Sequence, residues 1–372
     1  MCTVSACGSG TGRAPAATTT TSTAGPTATL RMGFIGGLSG AKGAAGLDVK
    51  NGEKLAISQF DADGPPVQVA LDAVDAGGNS SEVRAGALRL AGDKVVAVIG
   101  PTSDEDASVA EPLFEQSGIP SITVSAAEQK LARHRWRFFH RLIPDDPTQG
   151  SADGGYLVNA LHATAVAIVD DSTEPSRELS GSAGQAVTEA GSKVVYVAHL
   201  DSRPQSVASA VGSIVGTSPD AVFFAGSPGL AARVISELRS AGYSGKFMLG
   251  GSDGSDFLAG AGTSAEGSYV ACGCAGTAES SDAQAFNAAY LAQFGTTPGP
   301  YAAEAYDAAN TILRAIQKGD LSPSAINRYL ASVDYVGITR TVRFRPDGNW
   351  AGDNVFVYKV ESGVLVELGP SG

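Results

Sequence analysis

The sequence predicts an α/β protein with two lobes, each built on a doubly wound parallel sheet. Short apolar runs rich in β-branched residues, such as VVAVI at residues 95–99, alternate with helical patterns along the chain. The alternation stops at a basic, aromatic segment after residue 128 and then restarts, which indicates a second lobe. The length of 372 residues is sufficient for two domains of ordinary size.

The first predicted lobe begins with the strand RMGFIGGL, which is followed by a helix with an apolar stripe. VQVALDAVDAG then alternates as an edge strand does, and Asn79 with Glu82 three residues later indicates the start of a second helix. A central strand and a crossover helix lead to the strand PSITV. Because parallel neighbours need such crossovers, the sheet is predicted to be parallel.

The second predicted lobe repeats this alternation after residue 143. Helices are predicted over 176–191, 204–216 and 229–242, between the strands ATAVAIVDD, KVVYVAHL, DAVFFAG and KFMLGG. A further strand, SYVACGCAG, precedes a long helical stretch that is interrupted at residues 295–300. The chain is predicted to close with a β-hairpin, in which TVRFR and DNVFVYKV flank a Pro-Asp-Gly-Asn turn.

Several predicted strands in both lobes end in small, hydroxyl-bearing or acidic residues. A single loop of this kind would be explained by turn formation alone. Their recurrence predicts a site, because ligands of open parallel sheets bind at the carboxyl ends of the strands. The simplest arrangement sets the loops of the two lobes face to face across a cleft. The loops are Thr102-Ser103-Asp104, Ser125-Ala126-Ala127, Asp170-Asp171, Gly226-Ser227-Pro228 and Gly251-Ser252-Asp253-Gly254.

Charge and motifs argue against several classes of function. A net charge of −12 disfavours nucleic-acid binding, which requires a basic surface. No glycine-rich nucleotide motif follows the first strand. Residues 250–254 match the G-x-S-x-G motif of hydrolases, but the last histidine is His199, so no catalytic base follows the serine. The other histidines, His134, His140 and His162, lack metal-ligand spacing, and neither a metal nor a cofactor is predicted.

Two of the four cysteines, Cys272 and Cys274, lie two residues apart on a predicted strand. Their side chains would point to the same face, and a bridge between them would close a strained ring. The sequence is therefore compatible with two thiols and with a disulfide. Burial as small apolar side chains is the default expectation. The pair is a weak indication of a metal site, because no further cysteine or histidine lies nearby.

The amino terminus indicates a lipid anchor. Val4-Ser5-Ala6-Cys7-Gly8 resembles the lipobox of bacterial lipoproteins, in which the cysteine becomes the lipidated first residue; the alternative is an ordinary cysteine in a tail. The residues before it are far fewer than the apolar core of a signal peptide needs, so we expect the signal sequence to be missing. Residues 8–29 are rich in Thr, Ser, Ala, Gly and Pro, which predicts a disordered tether.

Six segments occur in a familiar order along the chain: MGFIGGLSGAKGAAGLDVKNGEKLAI, DKVVAVIGPTS, SGIPSITVSAA, FFHRLIPDDPTQG, YAAEAYDAAN and VGITRTVRFRPDGNW. On these segments, the chain from about Arg31 to Val366 resembles the periplasmic solute-binding proteins of type I fold that serve branched-chain amino acid ABC transporters. The resemblance implies two lobes that are joined by a three-strand hinge and close on a small ligand, without catalysis. The lobes would comprise 30–142 with 276–334 and 143–275 with 335–370, after a tail of residues 1–29.

The resemblance also implies a ligand site in the cleft. Amino acid binders of the family hold the ligand carboxylate with hydroxyls of two loops and the ammonium with an acidic residue at the position of Asp253. Alternatively, Asp253 caps the helix that starts near Ser255. The predicted ligand-binding residues are Ser39, Ala45, Thr102, Ser103, Asp104, Ser125, Ala126, Ala127, Ser227 and Asp253.

Four of these positions depart from the family pattern. Asp104 stands where the family has a serine, Ala127 replaces a threonine, and Ala45 and Ser227 replace aromatic residues. A carboxylate at position 104 would repel a ligand carboxylate, which predicts a roomier and more acidic pocket for a larger or amine-bearing ligand. The alternative is that Asp104 caps the following helix and faces away, which would leave a neighbouring hydroxyl to hold the ligand carboxylate.

These patterns together predict an extracytoplasmic substrate-binding lipoprotein of an ABC importer. It would capture a small polar solute, an amino acid or a related compound, and present it to a membrane permease. We expect a monomer that is attached to the outer face of the cell membrane only through Cys7, with no nucleic-acid partner. The alternatives are a ligand sensor of the same fold that signals to a membrane partner, and a binder of an amine, an amide or an aromatic acid.

Overall fold

The computed structural model describes residues 1–4, 28–40, 43–77, 79–275, 281–353 and 355–371. Cys7 and most of the predicted tether lie outside these described residues. Within them, no helix is both long enough and apolar enough to cross a membrane.

A five-stranded parallel sheet forms the centre of the first lobe, in the order β2-β1-β3-β4-β5. Its strands are β1 (Ala28–Gly36), β2 (Val67–Asp75), β3 (Ala97–Ile99), β4 (Ser121–Thr123) and β5 (Phe139–Arg141). The apolar run at residues 95–99 supplies β3, which is buried in the middle of the sheet as predicted. The alternating segment supplies β2 at the edge, where one face of a strand can meet water.

Four helices alternate with these strands: α1 (Gly43–Ala62), α2 (Ser80–Gly92), α3 (Asp104–Ser117) and α4 (Lys130–Arg133). Asn79 caps α2, because its side chain accepts hydrogen bonds from the backbone of Ser81 and Glu82. The helix start predicted at Asn79 is therefore confirmed. Gly118 ends α3 with a φ of 66°, a left-handed conformation that glycine adopts without strain.

A seven-stranded sheet forms the centre of the second lobe, in the order β14-β13-β10-β9-β8-β6-β7. Its strands are β6 (Ala165–Asp170), β7 (Lys193–His199), β8 (Ala221–Ala225), β9 (Lys246–Gly250), β10 (Tyr269–Cys272), β13 (Phe356–Glu361) and β14 (Val364–Pro370). Its helices are α5 (Asp146–Asn159), α6 (Glu174–Glu189), α7 (Pro204–Thr217), α8 (Pro228–Ser240) and α9 (Ser255–Ala261). β13 and β14 run antiparallel to their neighbours, so this sheet is mixed and not purely parallel as predicted.

The chain returns to the first lobe after β10. Helices α10 (Ser281–Phe294), α11 (Ala302–Gln317) and α12 (Pro323–Leu330) follow, and Ile312 and Ile316 of α11 share one core with Met32 and Phe34 of β1. The chain then passes back to β13. Within the described residues it therefore connects the two sheets after β5, after β10 and after α12. The residue boundaries predicted for the lobes stay a prediction.

The hairpin predicted from TVRFR and DNVFVYKV is wrong. Residues 341–342 form β12 (Thr341–Val342), which pairs with β11 (Tyr335–Val336), whereas β13 pairs with β10 and β14. A single bridge between Phe344 and Trp350 spans the predicted turn. The reason lies in the packing: Val342 is buried in the core of the first lobe, and Val357 of β13 is buried in a core of the second.

Cys272 and Cys274 form a disulfide at the end of β10. Both residues are buried. The disulfide settles the question that the sequence leaves open between two thiols and a bridge. It also places a covalent link where the chain leaves the second sheet.

Candidate ligand-binding cleft

A cavity of about 320 Å³ lies between the two lobes, at the carboxyl ends of strands from both sheets. The first lobe contributes Asp104 at the start of α3 and residues of the loop that follows β4. The second lobe contributes residues that follow β6, β8, β9 and β10. Both lobes thus direct the carboxyl ends of their strands to one cleft, where ligands of parallel sheets bind.

The structure brings some of the predicted ligand-binding residues together at this cavity and leaves others outside it. The predicted residues that line the cavity are Asp104, Ser125, Ala127 and Ser227. The predicted residues outside its lining are Ser39, Ala45, Thr102, Ser103, Ala126 and Asp253. Ser39 and Ala45 are exposed to solvent.

The hydroxyls that precede Asp104 are engaged by the protein's own backbone. Ser103 caps α3, because its Oγ accepts a hydrogen bond from the amide of Asp106 at 3.3 Å. The Thr102 Oγ1 accepts a hydrogen bond from the amide of Gly37 at 3.4 Å. Ala126 is fully buried, and its amide donates to the Thr123 hydroxyl at 3.1 Å. These contacts fix the two first-lobe loops at the edge of the cavity.

Asp253 lies directly before Gly254, the N-cap residue of α9. Its Oδ1 accepts hydrogen bonds from the amide of Ser255 at 2.8 Å and from the hydroxyl of Ser255 at 2.6 Å. Asp253 still lies near the cleft, since burial and, after it, the charge of Asp253 raise the pKa of the cavity-lining Tyr301 phenol. The negative charge of Asp253 therefore acts electrostatically on the cavity, although Asp253 does not line it.

Asp104 lines the cavity, so the alternative in which this residue faces away is wrong. Its Oδ1 accepts a hydrogen bond from the amide of Glu128 at 2.8 Å. Burial, and to a smaller extent the nearby Glu128 carboxylate, raise the pKa of Asp104, while the positive charge of Arg141 acts in the opposite direction. Asp104 thus brings a carboxyl group with a raised pKa to the cleft.

The sequence reasoning missed two side chains on the first two turns of α5. Asp146 is 8% exposed and Gln149 is 4% exposed, and both line the cavity. The Oδ2 of Asp146 is buried without a hydrogen-bond partner. Burial and the nearby Asp104 raise the pKa of Asp146 to about 8. The i, i+3 spacing in the segment DDPTQG was the available signal, because it puts both side chains on one helix face.

Asp171 is a third carboxylate on the cavity, after the end of β6. Its oxygens accept hydrogen bonds from the amide of Ser227 at 2.8 Å and from the Thr173 hydroxyl at 2.7 Å. The amide of Thr173 donates a further bond at 3.2 Å. Burial alone would raise the pKa of Asp171, but these bonds and one from Ser176 lower it below its ordinary value.

Arg141 is a cation near Asp104 and Asp146, but it does not line the cavity. Its side chain is fully buried, and it donates to Asn349 Oδ1 at 2.6 Å and to the carbonyl of Glu128 at 2.9 Å. Among the lining residues that the structure describes, none is basic. The cavity surface therefore carries three carboxyl groups without a lysine, arginine or histidine beside them.

The segments that connect the sheets are tied together next to the cavity. Arg340 Nη2 donates to the carbonyl of Gly273, which lines the cavity, at 2.6 Å and to Glu304 Oε1 at 3.1 Å. The amide of Ala275 donates to the same Glu304 oxygen at 2.6 Å. Arg340 and Glu304 of α11 are both buried, and their ion pair, with the bonds to Gly273 and Ala275, holds α11, the segment after β10 and the segment before β12 together.

The profile of a protein family, described as periplasmic binding protein, matches residues 29–364. The chain belongs to the periplasmic binding protein family. The leucine-, isoleucine-, valine-, threonine-, and alanine-binding protein of Pseudomonas aeruginosa is 22% identical over 337 residues, which cover 89% of this chain and 90% of that protein. The predicted resemblance to this class of binding proteins is thereby confirmed.

Solved structures of similar proteins support the fold of this periplasmic binding protein. The branched-chain amino acid transporter substrate-binding protein LivJ of Streptococcus pneumoniae, in complex with isoleucine, has a TM-score of 0.77 at 23% identity, covering 91% of this chain and 99% of that one. A solute-binding protein of an ABC transporter from R. palustris, in complex with benzoate, has a TM-score of 0.75 at 18% identity, covering 92% and 96%. The prediction of a two-lobed α/β fold is confirmed.

Membership of this family bears on the class of function. Periplasmic binding proteins are solute-binding proteins, so the prediction of a binding protein and not an enzyme is confirmed. The G-x-S-x-G match at residues 250–254 is explained by the turn after β9, where Gly251 and Gly254 have φ values of 70° and 78°. Both glycines adopt left-handed conformations that other residues disfavour.

Proposed function

We propose that this chain is the extracytoplasmic substrate-binding protein of an ABC importer, which captures a small polar solute between two closing lobes. The observation that carries the proposal is the cavity between the carboxyl ends of both sheets. A solute that contacts both walls favours a closed arrangement of the lobes, since it interacts with each of them. In this proposal the lobes comprise 30–142 with 276–334 and 143–275 with 335–370, and the monomer delivers its solute to a membrane permease.

A thermal-shift screen of the purified protein tests solute capture. Amino acids, amides, diamines and aromatic acids are compared, because a ligand that binds only the folded state raises the melting temperature by mass action. An Ala127→Trp variant fills the cavity and should abolish the shift. The matched control is Ala62→Trp at the exposed end of α1, which should retain it. A shift that survives Ala127→Trp would contradict binding in the cleft.

A ligand sensor is the second candidate for the same fold. The two candidates differ in what happens to the solute once a ligand has been identified. Deletion of the protein from its cells should abolish high-affinity uptake of that ligand if the protein serves an importer. Unchanged uptake with a lost cellular response to the ligand would favour the sensor.

The proposal includes attachment to the outer face of the cell membrane through a lipidated Cys7, which lies outside the described residues. The support is the lipobox-like run before a linker that is rich in small residues. Mass spectrometry of the protein isolated from the membranes of its own cells tests this attachment. We expect an amino-terminal peptide that begins at Cys7 and carries lipid, and an unmodified Cys7 would contradict the anchor.

A further inference from the structure

The cavity is rich in hydrogen-bond acceptors. Asp104 comes from α3, Asp146 from α5 and Asp171 from the loop after β6, so carboxyl groups reach the cavity from three separate elements. None of the described lining residues is basic. A zwitterionic amino acid needs both an acceptor for its ammonium group and free donors for its carboxylate. The supply of donors therefore decides which class of solute fits.

Several donors at this cavity are engaged within the protein, whereas the lining Gln149 Nε2 is buried without a hydrogen-bond partner. The Ser227 amide and the Thr173 amide and hydroxyl all donate to Asp171. The Ser125 hydroxyl donates to the carbonyl of Thr102 at 3.0 Å. The protein's own carboxylate at Asp171 thus occupies the donors at the starts of α6 and α8, where a ligand carboxylate would otherwise be favoured.

Asp146 provides an independent indication of the ligand. Its side chain is 8% exposed and lines the cavity, yet its buried Oδ2 accepts no hydrogen bond. A buried polar atom without a partner is unfavourable, and burial of an uncompensated carboxylate is more so. An N–H group of a bound solute would satisfy this oxygen. A ligand carboxylate could not satisfy the ionised form of Asp146, because both groups would then be acceptors.

The two cations near the cavity, Arg141 and Lys130, are engaged by other groups of the protein. The guanidinium of Arg141 is fully buried and engaged by Asn349 and by backbone carbonyls. Lys130 pairs with Glu128, with 2.5 Å between Nζ and Oε1. Neither side chain lines the cavity. Asp104, Asp146 and Asp171 are therefore only partly compensated by the protein.

Resting on the proposed solute capture, we propose that the ligand is a small organic cation with an amino, amidino or guanidino group and no carboxylate, bound by Asp104 and Asp146, with the negative charge of Asp171 nearby. The positive N–H groups donate to the carboxylates by charge-assisted hydrogen bonds, which are about twice as strong as neutral ones. The absence of a ligand carboxylate avoids repulsion by the negative charges of the cavity, which has no basic residue in its described lining. Apolar side chains such as Ile143 and Leu179 accommodate the carbon skeleton.

Titration calorimetry with 1,4-diaminobutane, agmatine, leucine and benzoate tests this inference on the whole chain. We expect binding of a cation and no binding of leucine or benzoate. Asp104→Asn and Asp146→Asn should each weaken cation binding at least about tenfold, as expected when a charged hydrogen-bond partner is lost. Asp256→Asn, an equal change of charge at an exposed position on α9, should leave the affinity unchanged. Circular dichroism checks that each variant is folded.

The outcomes separate this inference from the proposed function. Binding of leucine or benzoate that Ala127→Trp abolishes would overturn the cation inference and leave solute capture intact. Cation binding that neither Asp104→Asn nor Asp146→Asn weakens would overturn the site assignment. Failure of every compound in the wider thermal-shift screen would count against both proposals.

Discussion

Asp171 and Asp146 are acids on the same cavity, yet their pKa values move in opposite directions. Asp171 accepts hydrogen bonds from two amides and a hydroxyl, and its pKa is lowered. Asp146 has a buried oxygen without a partner and the like charge of Asp104 nearby, and burial raises its pKa to about 8. Donors supplied by the fold therefore decide which acid serves the protein and which is left for a ligand.

The largest expected effect comes from removing the partner of a buried acid next to the cleft. Arg340→Ala leaves Glu304 buried and without its cation, so the free energy of unfolding should fall by about 3–5 kcal/mol. Urea unfolding measures this loss. The control is Arg343→Ala, which breaks an exposed pair with Asp334 and should change little. An equal loss in both variants would contradict a larger contribution of the buried pair to stability.

The next effect compares the two cavity acids directly. In ligand-free protein at pH 8, Asp171→Asn should lower the free energy of unfolding by about 1 kcal/mol, because an acceptor of backbone hydrogen bonds is replaced. Asp146→Asn should raise it by about 1–3 kcal/mol, because a buried, unpartnered carboxylate is removed. Urea unfolding of both variants in one buffer measures the sign of each change in the free energy of unfolding. The same sign for both would contradict the comparison.

This contrast also shows how far the sequence could predict the site. The apolar runs and the loops at strand ends placed the cleft correctly and brought Asp104, Ser125, Ala127 and Ser227 to its wall. Those features are local, because strand burial and loop composition are written in adjacent residues. The role of Asp171 depends on the amide of a residue 56 positions away, which no local pattern encodes.

The errors have the same origin in tertiary packing. The predicted carboxy-terminal hairpin had good turn chemistry, but its two halves are buried in the cores of different lobes. Asp146 was overlooked because a charged residue at a helix start is ordinarily explained by the helix dipole. In each case, long-range contacts decided between two locally reasonable alternatives.

A further effect is the dependence of stability on pH. The folded-state pKa of Asp146 is raised from its ordinary value of 3.8 to about 8. Its contribution to stability is therefore complete below about pH 4 and is lost as the pH rises toward 8. The charges that act on it are those of Asp104 on α3, Arg141 on β5, Glu178 on α6 and the neighbouring Asp145.

Thermal unfolding from pH 4 to pH 8 checks this dependence as a difference between wild type and Asp146→Asn. Other buried acids titrate in both proteins, and their contributions cancel in the difference when they lie away from this cluster. We expect the melting temperature of the variant minus that of wild type to increase as the pH rises. Parallel curves would show that Asp146 titrates near its ordinary value.

The smallest expected effect is a proton released when a cation binds. At pH 7 an acid with a pKa of about 8 is mostly protonated, and an ammonium or guanidinium beside it favours the carboxylate. Binding of agmatine should therefore release up to about one proton, and the affinity should increase as the pH rises from 6 to 8. Calorimetry in two buffers with different ionisation enthalpies measures the release. Asp146→Asn should suppress the release and Asp256→Asn should not, because Asp146 lines the cavity and Asp256 does not.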